Sequence, residues 1–229
     1  MKTSQINERK KIFSMGFYNV IYKLFARPVR AIWRVKAEGV ENVPDHGCIL
    51  VANHTSVTDV LVLEAAQKRQ IRFMAKKELF KVPLLSSLIK ALGAYPVDRG
   101  GADVKSLKLT FKMIADGDLI GIFPQGTRCP NTDPRETEVK SGIGMIAYHA
   151  KADILPVYID NKGKTRAFRR NTVKIGKLIP FGELGFEKAG RAEYERAAGY
   201  IFSKVCELKY GEGNGYAVRE QEDGTDQNS

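Results

Sequence analysis

Cysteine is scarce in this sequence, and the three that occur, Cys48, Cys129 and Cys206, lie far apart. An odd number of widely spaced cysteines provides neither a disulfide framework nor the paired ligands of a zinc site. A reducing, cytosolic setting is therefore favoured. The N-terminus also lacks the apolar core of a cleavable secretory signal, and the sequence contains no internal repeat.

A hydrophobic run long enough to cross a bilayer is missing from the N-terminal region. The longest charge-free stretch there, residues 12–22, falls short of the ~20 apolar residues that a spanning helix needs. It carries aromatic and aliphatic residues at helical spacing, and a basic series follows: Lys23, Arg27, Arg30 and Arg34. Such a helix suits an anionic membrane surface, so residues 1–30 are predicted to be a membrane-associating segment. The alternative is a helix packed on the body with its charges in water.

Acidic residues are outnumbered, and the formal net charge is +11. Residues 211–229 hold five acids and one arginine, which leaves +15 on the rest of the chain. A body this basic favours an anionic partner: nucleic acid, a phosphorylated small molecule or an acidic membrane. Nucleic-acid binding calls for a basic stripe with interleaved aromatics, whereas here the aromatics cluster near the N-terminus and the basic residues are scattered. We expect no nucleic-acid partner, and we expect the polar tail from Gly211 to be disordered.

Apolar runs alternate with helical patterns through the body of the chain. Buried strands are predicted over residues 48–52, 71–75, 119–123 and 154–159, and helices follow the first three. This order predicts an α/β layer structure in a single domain over residues 31–210. Alternation over residues 31–39 predicts a further strand, and Pro28 predicts that the N-terminal helix ends or kinks near Arg27. The last helix is expected at about residues 187–210, and His46 is expected on the surface without a partner.

The stretch from Asn53 to Asp59 lies at the turn between the first buried strand and its helix. In α/β sheets, ligand-binding and catalytic side chains are usually exposed beyond the carboxyl ends of the strands. An imidazole accepts a proton near neutral pH, and a carboxylate on its other ring nitrogen fixes the tautomer. The pair His54 and Asp59 can therefore activate a hydroxyl that the substrate brings. The alternative is a helix cap beside a half-exposed histidine.

Two further strand ends carry arginine beside glycine. Arg99 precedes Gly100 and Gly101, and Arg128 ends the loop that contains Gly126; Lys140 opens a later helix. The donor fork of arginine matches phosphate oxygens. If these ends meet at one rim with His54, the rim suits an acceptor with one reactive hydroxyl and one phosphate.

The sequence contains four ordered blocks: NHTSVTD, GAYPVDR, FPQGTR and ILPVYI. They resemble the four ordered motifs of the glycerolipid acyltransferases, a family typified by 1-acyl-sn-glycerol-3-phosphate acyltransferase. The resemblance covers roughly Trp33 to Ile159. The resemblance implies a single α/β domain like that of glycerol-3-phosphate acyltransferase, with a mixed central sheet flanked by helices and an N-terminal amphipathic membrane-contacting helix. It implies no metal and no cofactor, with acyl-CoA or acyl carrier protein as co-substrate.

The resemblance also implies roles for individual residues. His54 would be the general base that deprotonates the acceptor hydroxyl, and Asp59 would orient it. The alkoxide would attack the acyl thioester directly, without an acyl-enzyme. The residues that would bind the glycerol phosphate are Arg99, Gln125, Gly126, Thr127 and Arg128, with Lys140 as an additional phosphate ligand.

The implied reaction transfers an acyl group to the sn-2 hydroxyl of lysophosphatidic acid, which gives phosphatidic acid. The enzyme would be a peripheral protein at the anionic, cytoplasmic face of the cell membrane. Glycerol 3-phosphate or another lysophospholipid is an alternative acceptor, and a non-catalytic lipid-binding module is a further alternative. One position departs from the family pattern, which usually has Glu where this chain has Gln125. We expect this amide to keep the acceptor site working and to shift acceptor preference or affinity.

Overall fold

Seven strands form one sheet in this computed structural model, which describes residues 24–97 and 103–216. The strands are β1 (Val35–Glu38), β2 (Cys48–Ala52), β3 (Ile71–Lys76), β4 (Tyr95–Val97), β5 (Leu119–Ile122), β6 (Ile154–Asp160) and β7 (Asn171–Ile175). The helices are α1 (residues 24–32), α2 (Asp59–Ala66), α3 (Pro83–Ala91), α4 (Val104–Ala115), α5 (Gly142–Ala150) and α6 (Arg191–Tyr210). None of the helices in these ranges has the length and apolar character that crossing a bilayer requires.

The strand order is β1-β7-β6-β2-β5-β3-β4, and the sheet is mixed, as predicted. Strands β6, β2, β5, β3 and β4 run parallel. Strand β7 is antiparallel to β6, and β1 is parallel to β7. The carboxyl ends of the five parallel strands therefore share one edge of the sheet, and the segments that follow β2, β5 and β6 meet there.

The core lies on both faces of the sheet. Strand β2 is central and buried at all five positions. Its Ile49 and Val51 join a cluster with α5 and α6, whereas Leu50 and Ala52 join a second cluster with α2 and Trp33. Because both faces are covered, the strand is continuously apolar, as is usual for parallel sheets.

Two expected boundaries in the N-terminal part were wrong, the end of the helix near Arg27 and the start of the strand at residue 31. Residues 24–32 are helical, so the helix passes through Pro28, and the N–H of Trp33 donates to the carbonyl of Val29 at 2.9 Å to close its last turn. Strand β1 begins at Val35 instead of residue 31, after a turn in which Arg34 has φ +45°. The predicted boundary between residues 30 and 31 thus falls inside this helix, and residues 1–23 lie outside the described ranges.

Other differences concern the second half of the chain and one histidine. The alternating segment of β7 was not predicted, and α6 begins at residue 191 instead of about 187. Residues 211–216 are not disordered, because the Tyr216 ring lies 5.6 Å from that of Phe202; residues 217–229 are outside the described ranges. His46 has a partner after all, since its Nε2 lies 3.0 Å from Oδ2 of Asp153.

Candidate active site

The turn after β2 brings His54 and Asp59 into direct contact. Nδ1 of His54 lies 2.8 Å from Oδ2 of Asp59. The histidine side chain keeps 17 % of its surface exposed, whereas the aspartate side chain is fully buried. A carboxylate at Nδ1 holds the proton on that nitrogen, so Nε2 carries the lone pair that can accept a proton.

The buried Asp59 carboxylate is satisfied by hydrogen bonds alone. Its Oδ2 also accepts from the backbone N–H groups of Thr55, at 2.6 Å, and Ser56, at 2.8 Å. Its Oδ1 accepts from the hydroxyl of Thr165 and, at 3.3 Å, from that of Thr55. Such a set of donors offsets the cost of burying the charge and fixes the carboxylate against His54.

The imidazole of His54 is the end of a stack of three aromatic rings. The His54 and Phe123 ring centroids are 4.0 Å apart with the planes 13° from parallel, and Phe123 stacks on Phe73 at 5.7 Å. Gly121 of β5 makes room for this stack, since a Cβ there would lie 2.3 Å from the Phe73 ring. The apolar face of His54 is therefore positioned by Phe123, directly after β5, and by Phe73 of β3 behind it.

The loop after β5 makes hydrogen bonds with both the N–H and the carbonyl of His54. The N–H of His54 donates to Oε1 of Gln125 at 2.7 Å, and the His54 carbonyl accepts from the N–H of Cys129 at 2.8 Å. The three residues between these anchors, Gly126, Thr127 and Arg128, are exposed. The structure thus brings two of the sequence motifs together, with the predicted acceptor-binding residues beside the histidine.

The Gln125 side chain is 3 % exposed and bonds to protein at both ends. Besides its bond to His54, its Nε2 donates to the Thr137 hydroxyl at 2.8 Å, which in turn donates to the Pro134 carbonyl at 2.7 Å. An amide suits this position because one end must accept and the other must donate. Gln125 therefore supports the His54 backbone, and one N–H and one oxygen lone pair of its amide are left over from these two bonds.

We expect Gln125→Glu to lower the free energy of unfolding by about 1–3 kcal/mol, measured by denaturant titration. A carboxylate offers no proton to Thr137, and if the Thr137 hydroxyl turns to donate to it, the Pro134 carbonyl loses its donor. The same change at Gln67, a second buried glutamine whose amide bonds to the backbone of Arg69, is the matched control for burying a carboxylate.

The expected shift in acceptor preference is tested with the Gln125→Glu variant, and equal ratios of kcat/KM among acceptors in the variant and the wild type would contradict it.

The remaining predicted residues differ in their surroundings. Gly126 has φ +69°, a conformation that favours glycine, and the stem of Lys140 lies beside it. The Lys140 ammonium is paired with the carboxylate of Glu138, so a phosphate would compete with that pair. Arg99 lies outside the described residues. Within the described ranges, no group of three His, Cys, Asp or Glu side chains is placed to hold a metal ion.

A polar cavity of about 420 Å³ lies near this turn, on the α6 side of the sheet. The residues that line it include Asn53, Thr55, Gln125, Lys162 and Lys209. The His54 ring lies on the other side of the sheet, the α2 side, where it stacks on Phe123. A hydrogen bond from Arg135 lowers the pKa of Asp133, another lining residue, to about 2. This carboxylate is therefore charged at neutral pH.

Sequence reasoning missed the contribution of the segment after β6. Thr165 donates to Asp59, and Nδ2 of Asn161 donates to the hydroxyls of Thr55 and Thr165, each at 2.8 Å. Asn53 bonds through both ends of its side chain to the Ile159 backbone, which fixes the His54 turn to β6. The available signal was that this segment follows a parallel strand next to β2, and so begins at the same sheet edge.

Comparison with known proteins agrees with this geometry. The family model described as Acyltransferase matches residues 34–160. A 1-acyl-sn-glycerol-3-phosphate acyltransferase of Bacillus subtilis is 33% identical over 162 residues, which are 68% of this chain and 79% of that protein. The corresponding chloroplastic enzyme LPAT1 of Arabidopsis thaliana is 28% identical over 65% of this chain, but only 42% of its own length is covered.

A solved structure is similar over most of both chains. The 1-acyl-sn-glycerophosphate acyltransferase of Thermotoga maritima superimposes with a TM-score of 0.61 and 26% sequence identity, over 82% of this chain and 81% of that one. The matched family region contains the His54–Asp59 turn, the loop after β5 and all of β6. The chain therefore belongs to the acyltransferase family.

Proposed function

We propose that this protein is a 1-acyl-sn-glycerol-3-phosphate acyltransferase, which esterifies the sn-2 hydroxyl of lysophosphatidic acid to give phosphatidic acid. The observation that carries the proposal is the contact between His54 Nδ1 and the fully buried Asp59 carboxylate. Relatives of this chain in Bacillus subtilis and Thermotoga maritima carry names that state this activity. Both are covered over about four-fifths of their length.

The reaction follows from the state of the imidazole. Nε2 takes the proton of the acceptor hydroxyl while the hydroxyl oxygen attacks the carbonyl carbon of the acyl thioester. The tetrahedral oxyanion collapses with cleavage of the carbon–sulfur bond, and the proton on Nε2 goes to the departing thiolate. Asp59 stabilises the imidazolium that exists between these steps. The protein itself forms no covalent bond to the acyl group, so the chemistry requires chiefly a base and two substrates held in place.

The acceptor phosphate is assigned to the exposed segment from Gly126 to Arg128, together with Arg99. Gly126 lets the backbone turn sharply, and the Arg128 guanidinium, which has no ion-pair partner among the described residues, offers a donor fork for phosphate oxygens. Lys140 adds a second cation if it leaves Glu138. The donor is acyl-CoA or acyl carrier protein, both of which carry the thioester on an anionic carrier.

The enzyme is proposed to work as a peripheral protein on the cytoplasmic face of the membrane. Its lipid acceptor resides in the bilayer, and the +15 charge of residues 1–210 favours an anionic surface. The N-terminal segment, residues 1–30, is proposed as one of its contacts with the membrane.

The test is the formation of phosphatidic acid and free thiol from a long-chain acyl thioester, with and without lysophosphatidic acid. Acyl-CoA and acyl carrier protein are compared as donors, and glycerol 3-phosphate and other lysophospholipids as acceptors. We expect thiol release that requires the acceptor and is fastest with lysophosphatidic acid. Silence with both donors and every acceptor would instead favour a non-catalytic lipid-binding module.

A further inference from the structure

The connection from β6 to β7, residues 161–170, is basic throughout. It has no carboxylate, and it carries five exposed cations: Lys162, Lys164, Arg166, Arg169 and Arg170. Within the described part of the chain, none of the five lies within 4 Å of a carboxylate oxygen, although ion pairs are common elsewhere on the surface. Unpaired cations concentrated on one loop favour an extended anionic partner.

An exposed aromatic residue, Phe168, lies among these cations, and its backbone has an unusual conformation. The Phe168 residue is 75 % exposed and has φ +60°, a region that bulky residues rarely adopt. The backbone is held there because the N–H of Phe168 donates to the carbonyl of Ile32 at 2.6 Å. Strain that keeps a large apolar ring in water points to a function for that ring.

The β6–β7 loop is joined to α1, which carries further exposed apolar residues. Ile32, whose carbonyl accepts from the N–H of Phe168, is 38 % exposed, and Phe25, seven positions earlier on α1, is 48 % exposed. Residues seven apart share a helix face, so Phe25 and Ile32 lie on one exposed face of α1. We call Phe25, Ile32 and Phe168, with the three arginines of the β6–β7 loop, the docking surface.

The docking surface is fixed relative to the catalytic pair. The loop is tied down at Thr165, which is 2 % exposed and donates to Asp59, and at Asn171, whose side chain donates to the carbonyls of Trp33 and Arg166. It leaves β6 at the sheet edge that carries His54. A loop whose backbone is already ordered loses less conformational entropy on binding, and its distance from the active site stays constant.

We propose that the docking surface binds an anionic phospholipid bilayer, with Phe168 in the headgroup region and Arg166, Arg169 and Arg170 against the lipid phosphates. This contact brings the sheet edge that carries His54 to the membrane. The inference deepens the proposed function and rests on it, because an acyltransferase for a lipid acceptor must reach the bilayer. The exposed ring and its apolar neighbours favour a bilayer over an acidic carrier protein, for which charge alone would suffice.

The test is cosedimentation of the full chain with vesicles of phosphatidylcholine, with and without phosphatidylglycerol. The test variants are Phe168→Ser and the triple change Arg166→Gln, Arg169→Gln and Arg170→Gln. The matched control is the triple change Lys68→Gln, Lys151→Gln and Lys177→Gln, which removes the same charge from exposed positions at the opposite edge of the sheet. An inactive His54→Ala protein is included, because its binding separates membrane contact from catalysis.

We expect the arginine triple to lower the partition coefficient on anionic vesicles on the order of 100-fold, with the loss shrinking as salt rises. Phe168→Ser should lower binding about tenfold on both vesicle types. The control triple should lose much less than the arginine triple, and His54→Ala should bind as the wild type does. Equal losses for the two triples would overturn the proposal. So would an arginine triple that binds vesicles normally and fails only to bind acyl carrier protein.

Discussion

Replacing His54 with alanine is expected to lower kcat by about 10²–10⁴-fold, the usual contribution of a general base. The imidazole has one nitrogen fixed by Asp59 and the other available for the acceptor hydroxyl. Alanine removes the base and leaves the Asp59 carboxylate with its other donors from Thr55, Ser56 and Thr165. The fold should therefore persist, which circular dichroism and thermal unfolding would check alongside the initial rate of acyl transfer.

The chain offers two internal controls, because it has only three histidines. His46 also bonds to an aspartate, Asp153, at 3.0 Å, but lies before β2 on the opposite edge of the sheet. His149 packs near Tyr148 and Tyr194. His46→Ala and His149→Ala should each retain kcat within a few-fold of the wild type. A His54→Ala protein that keeps wild-type kcat would remove the histidine from the mechanism.

Replacing Asp59 with asparagine should lower kcat on the order of 10²–10⁴-fold while the protein remains folded. Oδ2 of Asp59 accepts from three N–H groups, so the amide oxygen should take that place and the NH₂ group should face Thr165. The Thr165 hydroxyl can turn to accept. The amide is neutral, however, and no longer stabilises the imidazolium formed during proton transfer. The measurement is kcat with a saturating acyl donor, alongside the free energy of unfolding.

Asp59→Ala separates the catalytic from the structural role of the same carboxylate. Without an oxygen at this place, the buried N–H groups of Thr55 and Ser56 lose their acceptor, at a cost of about 1–3 kcal/mol each. We therefore expect Asp59→Ala to be clearly less stable than Asp59→Asn, although kcat should fall in both. Asp153→Asn, in the second His–Asp pair, should leave kcat unchanged. If Asp59→Asn retained full activity, the carboxylate would be merely a structural cap of the turn.

The pairing of His54 with Asp59 was predictable because it is local. The two residues are five positions apart, and the intervening turn closes through the bond from the Asp59 N–H to the Ser56 carbonyl. The central strands were predictable for a similar reason, since their apolar runs are continuous and flanked by polar turns. Strand β7 alternates between buried and partly buried positions and was overlooked.

The role of Gln125 was not predictable from its place in the motif. Sequence resemblance assigned it to the acceptor, whereas its amide bonds to the His54 backbone and to Thr137. His54 is 71 positions away, so only the pairing of β2 with β5 brings the two together. Whether Gln125 also changes acceptor preference stays a prediction.

The sequence by itself determined the α/β layers, the contact between His54 and Asp59 and the basic character of the chain, because each depends on composition or on residues close in sequence. The tertiary structure decided which other groups serve that pair. Thr165 reaches Asp59 across 106 positions, and Cys129 reaches the His54 backbone from the loop after β5. Both contacts exist because parallel strands end at a common edge, and the order of strands along that edge is fixed only when the whole sheet packs between its helices.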